Sequence, residues 1–182
     1  KWIRKFRKNK KNWVFISSWH SPNIEGLFTL IKIISKQNQI VEENFTLWVL
    51  GDVGNGIRDK LKENKIEIYP WLKILGHVSS DDINQSIIYS SGIILPIWKG
   101  GGSNLKTSQA LLSGKCVLAS RPSLRSFEEF DSEDGVFIAN SNHEMSKLMF
   151  SVYPKNKYKR SIYIESLDWN SILNDLPNFV RS

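Results

Sequence analysis

Residues 98–115 read WKGGGSNLKTSQALLSGK and join a glycine turn to the start of a helix. The three consecutive glycines allow the backbone to approach a ligand closely. We predict that a helix begins near Ser103, so that its unpaired N–H groups and the positive end of its dipole face the turn. Lys106 lies in the first turn of this helix, where a cation is unfavourable unless an anion is nearby. The stretch therefore predicts an anion site, and the alternative is an ordinary turn with a solvated lysine.

Apolar segments flank this stretch on both sides. Residues 91–96 read SGIILP and residues 115–120 read KCVLAS. Both are short and rich in apolar residues, which is typical of buried strands in a parallel sheet. The glycine turn therefore follows the carboxyl end of a central strand, the edge at which open α/β sheets bind ligands.

Strands and helices alternate along the rest of the chain. Four further strands are predicted, at residues 13–18, 45–50, 74–78 and 135–139. Ser79 and Ser141 have the residue type and position of helix caps, whereas residues 51–56, GDVGNG, are predicted to form a loop. This alternation predicts an α/β fold, a Rossmann-like open parallel sheet of about six strands with helices on both faces.

The charge of the chain is concentrated at its start. Seven of the 25 Lys and Arg residues lie in the first eleven positions, where there is no acid, and the other 18 match the 18 Asp and Glu residues. We therefore divide the chain into a basic arm or linker at residues 1–12, a folded domain at 13–152 and a helical tail at 153–182. The neutral body argues against nucleic-acid binding by the domain itself.

Cysteine content and hydropathy give expectations about location. Cys116, the one cysteine, falls within a predicted buried strand, so no disulfide forms within the chain and we expect a reducing, cytoplasmic compartment. No apolar run reaches the roughly 18 residues that cross a bilayer, and the start shows no signal-peptide pattern. Because the chain begins with lysine, we expect it to be one domain of a longer protein.

Three common types of site are excluded by their motifs. Residues 17–22 read SSWHSP after the first strand, where a dinucleotide-binding domain has G-x-G-x-x-G. The Gly-Lys pair at 114–115 precedes a strand and not a helix, which excludes a P-loop. His20, His77 and His143 are far apart in sequence and lack the spacing of zinc ligands.

Several segments match one family pattern in order. Residues 15–23, FISSWHSPN, resemble a first strand followed by a proline-asparagine turn, and residues 75–78, LGHV, resemble a glycine-x-valine motif. Residues 95–117 resemble a pattern of proline, glycine-x-glycine, lysine, glutamate-alanine and glycine-lysine-proline-valine. These motifs resemble the C-terminal, donor-binding half of a family 4 glycosyltransferase with the GT-B architecture. The resemblance spans about residues 13–150, and Trp169 resembles a tryptophan near the terminal helix of that family.

The resemblance implies a role for each motif. It implies that the glycine turn meets the diphosphate and sugar of a nucleotide-diphosphate sugar, and that Lys106 offsets phosphate charge as the catalytic contact. Gln109 stands where the family usually has a glutamate that binds the ribose, on the same helix face as Lys106. The implied donor-binding residues are Gly76, His77, Val78, Gly100, Gly101, Gly102, Ser103, Asn104, Leu105, Lys106 and Gln109.

Three loop residues are additional candidates for donor contact. Ser18, Trp19 and Trp98 lie after predicted strands, at the edge where the ligand is expected. The two indoles would stack on a sugar or base in that position, and the alternative is that they pack between loops.

The resemblance also implies an activity. It implies transfer of a sugar with retention of configuration, with no cofactor and no metal, because protein groups stabilise the leaving diphosphate. It implies an N-terminal domain that presents an acceptor glycan, lipid or small molecule, and on which the tail at 153–182 packs if it does not pack on its own domain. Peripheral contact with the inner face of the membrane is a further expectation.

Departures from the family pattern leave other functions open. The first member of the family's glutamate pair falls at Gly101, and the arginine and lysine that follow the first strand appear as Ser18 and Glu25. One alternative is a non-catalytic nucleotide- or sugar-binding module of the same fold. A third hypothesis is RNA binding through the basic arm, which predicts strongly salt-dependent association.

Overall fold

The fold is a six-stranded, wholly parallel sheet with helices on both faces. A computed structural model describes residues 11–37, 45–100, 105–152, 154–155, 158–161, 164 and 167. The strands are β1 (Lys11–Ile16), β2 (Phe45–Leu50), β3 (Leu72–Gly76), β4 (Gly92–Leu95), β5 (Cys116–Ser120) and β6 (Val136–Ala139). The helices are α1 (Ser21–Ser35), α2 (Val53–Glu63), α3 (Ser80–Tyr89), α4 (Leu105–Leu112) and α5 (Asn142–Ser151). This confirms the predicted fold class.

The strand order across the sheet is β3-β2-β1-β4-β5-β6. The main core lies between the sheet and helices α1, α2 and α5, and its fully buried side chains include Trp13, Phe15 and Leu30. Smaller apolar clusters on the opposite face include residues of α3 and α4. Both faces of the sheet are therefore covered, as parallel strands with continuous apolar sequence require.

Local signals placed several elements correctly. β2 has the predicted bounds, and Ser79 and Ser141 each accept a hydrogen bond at 3.1 Å from the backbone N–H three residues later. Cys116 is fully buried, and burial raises the pKa of its thiol to about 12. Such a thiol is a core residue rather than a nucleophile.

Several boundaries differ from the prediction. β3, for instance, spans Leu72–Gly76 and not residues 74–78, and two other differences change the assignment of a segment. β1 begins at Lys11, so that Lys11 and Asn12, assigned from sequence to the basic arm, pair with Phe45 and Thr46 of β2. Residues 53–56, predicted as part of a loop, form the first turn of α2. Their two glycines pack closely on neighbouring segments, since an added Cβ would lie 2.9 Å from Ile74 at one position and 2.3 Å from Ile24 at the other. Tertiary packing there outweighs the low helix propensity of glycine.

The first residues of the tail pack on the domain. Tyr158 is buried against Gly135, and its backbone N–H donates to the Gly114 carbonyl at 3.0 Å. Ile164 is buried in a cluster with Leu111 and Phe130. The predicted terminal helix, including Trp169, and residues 1–10 of the arm lie outside the described residues.

Candidate functional site

A cleft of about 500 Å³ opens at the carboxyl ends of the strands, where the order of connections reverses. β1 leads towards β2 on one side, whereas β4 leads towards β5 on the other, so the loops after β1 and β4 diverge. Residues from both loops line the cleft, together with the side of α4 that carries Lys106 and Gln109. This is the place where open α/β sheets bind their ligands.

Two hydrogen bonds hold the Lys106 side chain against residues that follow β1. Its Nζ donates to Ser17 Oγ at 3.1 Å and to Asn23 Oδ1 at 2.8 Å. Both partners are buried, and burial of the ammonium lowers the pKa of Lys106. Neither Ser17 nor Asn23 carries a negative charge, so these two hydrogen bonds orient the ammonium without neutralising it.

Asn23 is itself held in place. Its Nδ2 donates to the Ser18 carbonyl at 3.2 Å, and it lies in the first turn of α1 directly after Pro22. The proline-asparagine turn seen in the sequence therefore has a defined task, which is to present an amide oxygen to Lys106. The sequence contained the residue types, but only the fold shows that Ser17 and Asn23 meet Lys106.

Two further cations, which were not predicted from the sequence, line the cleft. Arg125, after β5, donates from Nη1 to the Gly100 carbonyl, and Lys99 precedes the same glycine. Among the described lining residues, Asp52 supplies the one carboxylate. The cleft is therefore predominantly positive, which favours an anionic ligand. No sequence motif predicts Arg125, because strand pairing and not spacing brings it to the cleft.

Buried hydroxyl groups hold α4 beside β4. Thr107 Oγ1 donates to the Ser123 carbonyl at 2.7 Å, and Ser123 Oγ donates to the Leu95 carbonyl at 2.6 Å. Both side chains are fully buried. This chain of bonds fixes the helix that carries Lys106 and Gln109, both of which line the cleft.

Of the three donor contacts predicted at the end of β3 and in the loop after it, one lines the cleft. Gly76, the last residue of β3, has φ +74°, and its carbonyl accepts from the Gly51 N–H at 2.7 Å. His77 lines the cleft and is largely exposed, with Nδ1 3.8 Å from an Asp52 carboxylate oxygen. Val78 packs in an apolar cluster, and neither it nor Gly76 is among the lining residues.

Of the three additional candidates for donor contact, only Ser18 lines the cleft. Trp19 is 60% exposed and lies outside its lining. Trp98 is half-buried and donates from Nε1 to Asn142 Oδ1 at 2.8 Å, beside a different cavity. Glu25, at the position where the resembled pattern has a lysine, lies outside the cleft and pairs with Lys60 at 2.6 Å.

The glycine turn is described only at its first residue. Gly100 has φ +126° and lines the cleft, and Leu105, at the start of α4, also lines it. The predicted contacts at Gly101, Gly102, Ser103 and Asn104 lie outside the described residues. Within the described ranges, no group of three or more His, Cys, Asp or Glu side chains is placed to hold a metal ion.

Comparisons with known proteins give a likeness in structure. No protein-family model and no curated protein matches the sequence. The crystal structure of TarM has a TM-score of 0.62 at 15% identity, with 96% of this chain and 36% of that chain covered. The E. coli trehalose-6-phosphate structure bound with UDP-2-fluoro glucose has a TM-score of 0.62 at 10% identity, with 96% and 42% covered. The fold is that of a GT-B half-domain.

A third structure of the same kind is the pneumococcal O-GlcNAc transferase GtfA in complex with UDP and GlcNAc. This GT-B half-domain matches it with a TM-score of 0.58 at 14% identity, covering 96% of this chain and 36% of GtfA. The half-domain thus spans less than half the length of these three structures. At identities of 10–15% these comparisons establish the fold. The positions of the cleft residues come from the structure of this chain alone. None of the half-domain's described helices is long and apolar enough to cross a membrane.

Proposed function

We propose that this chain is the donor-binding domain of a glycosyltransferase that uses a nucleotide-diphosphate sugar. The observation that supports this most is the Lys106 ammonium, which hydrogen-bonds Ser17 and Asn23 at the switch-point cleft. An oriented cation beside the glycine turn suits a diphosphate, which has several acceptor oxygens and two or more negative charges. Lys99 and Arg125 add positive charge on the same cleft.

The proposed chemistry is transfer of the sugar with retention of configuration. The bond between the anomeric carbon and the diphosphate breaks, and its electron pair passes to the diphosphate. The acceptor oxygen forms the new bond to that carbon, and its proton passes to the departing phosphate oxygen. Negative charge therefore grows on the diphosphate, where Lys106 and the backbone amides at the start of α4 stabilise the transition state more than the ground state.

The remaining assignments follow from the same proposal. Gln109 lies three residues after Lys106 on the cleft side of α4 and binds the ribose hydroxyls. His77, at the opposite side of the cleft, borders the base. An acceptor glycan, lipid or small molecule is presented by a second domain, and we place the reaction in the cytoplasm or at the inner face of the membrane.

One observation favours a second candidate function. Gln109 supplies an amide where a carboxylate would make charge-assisted bonds to the ribose, and Gly101 has no side chain where relatives have an acid. A module that binds a nucleotide or sugar without transferring it would tolerate both changes. Binding and turnover must therefore be measured separately.

Titration calorimetry with UDP, GDP and ADP tests the binding proposal. We expect one of them to bind with a dissociation constant on the order of 10–100 µM, which corresponds to about 5.5–7 kcal/mol. Absence of binding by all three at about 1 mM would contradict it. Turnover is measured on the protein together with the proposed second domain, because that domain presents the acceptor. If a nucleotide binds but this longer protein neither hydrolyses nor transfers the matching nucleotide sugar, the non-catalytic module is correct.

The Gln109→Glu substitution tests the position of the ribose. If Gln109 meets the ribose hydroxyls, the new carboxylate accepts stronger hydrogen bonds, and nucleotide affinity should stay equal or improve by up to about tenfold. Calorimetry with the nucleotide and with inorganic pyrophosphate separates the two parts of the ligand, because only the nucleotide has a ribose. A sharp loss of nucleotide affinity with unchanged pyrophosphate affinity would mean that the amide has another partner.

A further inference from the structure

A second cavity of about 470 Å³ lies beside the cleft, on the side of α1. Its walls come from the first three turns of α1, the loop after β4 and the start of α5. The cavity falls within the volume range of small-molecule sites, about 300–1,000 Å³. None of the roles proposed above uses it.

An aromatic side chain is fixed in the wall of this cavity. The Trp98 indole donates from Nε1 to Asn142 Oδ1 at 2.8 Å and packs against the main core. The ring is therefore held at both its polar atom and its apolar body. A fixed, half-buried indole offers a flat apolar surface at little cost in conformational entropy.

Polar groups complete the cavity. Glu25 and Asn142 bring a carboxylate and an amide, and Ser21 is an exposed residue of the same lining. Glu25 is paired with Lys60, so its charge is balanced from outside the cavity lining. An aromatic wall with a few hydrogen-bonding groups suits a neutral ring that carries hydroxyl groups.

The cavity adjoins the cleft at the carboxyl ends of the strands. Pro22 and Lys99 line both spaces. A molecule in the second cavity would therefore lie next to the end of a nucleotide-diphosphate sugar held in the cleft. We propose that the second cavity is a subsite for a sugar unit of the acceptor, with Trp98 as the surface on which that sugar stacks. This inference rests on the proposed function, and it gives this domain a direct part in acceptor binding.

Indole resonances of 15N-labelled protein test the subsite. The chain has seven tryptophans, and a Trp98→Phe sample identifies the Trp98 signal. Methyl glycosides of glucose, galactose, mannose and N-acetylglucosamine are titrated into protein saturated with the nucleotide that binds. We expect at least one to shift the Trp98 resonance with a dissociation constant on the order of 1–10 mM, while the buried Trp13 and Trp48 resonances stay unchanged.

Variants separate the subsite from general effects on the fold. By saturation-transfer NMR, Trp98→Leu should weaken glycoside binding at least fivefold. Its matched control is Trp19→Leu, which removes an indole outside both cavities and should leave glycoside binding unchanged. If Trp98→Leu does not fold, Thr29→Phe fills the cavity from an exposed position on α1 and should block the glycoside with nucleotide affinity preserved.

The outcomes distinguish this inference from the proposed function. It is overturned if no glycoside shifts Trp98, if folded Trp98→Leu or Thr29→Phe keeps full glycoside affinity, or if nucleotide sugars shift Trp98 and glycosides do not. The last result would assign the cavity to the donor's own sugar. Failure of every nucleotide to bind would instead contradict the proposed function, and glycoside titration of the nucleotide-free protein would still report on the cavity.

Discussion

Replacement of Lys106 by alanine should weaken nucleotide-diphosphate binding by roughly 10–100-fold, or about 1.5–3 kcal/mol. The ammonium hydrogen-bonds Ser17 and Asn23, which orient it at the cleft. Its loss removes a charge-assisted contact that other cations of the cleft would replace only by moving. Calorimetry with the nucleotide diphosphate measures the change, and the corresponding nucleoside, which lacks phosphate, should bind the variant and the parent equally.

Lys115→Ala is a matched control for the loss of a partly buried lysine. Lys115 also has a pKa lowered by burial, but its Nζ donates to the Ile88 carbonyl and lies outside the cleft lining. We expect its nucleotide affinity to stay within about twofold of the parent. Equal affinities of Lys106→Ala and the parent would remove Lys106 from the site, and an equal loss in both variants would indicate a general effect of net charge.

Replacement of Gly26 by alanine should cause the largest loss of stability among the substitutions considered. A Cβ at this position would lie 1.8 Å from the Pro96 carbonyl oxygen and 3.0 Å from the Pro96 carbonyl carbon. Both atoms belong to backbone, so α1 or the loop after β4 has to shift. We expect a loss of about 3 kcal/mol, net of a helix-propensity gain of about 1 kcal/mol, and a melting temperature lower by roughly 6–12 °C.

Gly56→Ala is the matched control for this substitution. It also places alanine in a helix, but its nearest neighbours are the side-chain atoms Cδ1 and Cγ1 of Ile24, at 2.3 and 2.8 Å. These atoms can rotate away, and we expect a loss of about 1 kcal/mol. Thermal and urea unfolding compare the two variants. A stability of Gly26→Ala equal to that of the parent would show that α1 does not approach the loop so closely.

The same contact connects stability with the site. Gly26 lies one helical turn after Asn23, and Pro96 lies two residues before Trp98. The close approach of α1 to the loop therefore sets both the position of the Lys106 partners and one wall of the second cavity. A shift at Gly26 should for this reason also weaken nucleotide binding in whatever fraction of Gly26→Ala remains folded.

Sequence patterns predicted the elements best where neighbouring residues decide the structure. β2 was predicted with its observed bounds from apolar composition, and Ser79 and Ser141 cap helices as their side chains indicated. Residues 53–56 were predicted wrongly as a loop, because two glycines lower helix propensity but also permit close packing on Ile24 and Ile74. The error arose where contacts from distant segments outweigh local preference.

The candidate site was predicted only in part. Lys106 and Gln109 were expected on one helix face, and both line the cleft. Whether they bind a donor remains a prediction. Arg125 and the anchoring of Lys106 by Asn23 were not predicted, because these residues are separated by many positions from the glycine turn. The residue pattern within one segment does not show which residues of distant segments will be in contact.

The sequence by itself determined the α/β class, the alternation of elements and the helix that presents Lys106, because periodicity and capping depend on residues close together in the chain. The tertiary structure alone decided which loops meet. The order β3-β2-β1-β4-β5-β6 places the loops after β1 and β4 side by side, and so brings Ser17 and Asn23 to Lys106. The packing of α5 on α1, beside the loop after β4, accompanies the contact between Asn142 and Trp98. Strand order results from packing apolar faces across the whole domain, a long-range balance that local sequence does not express.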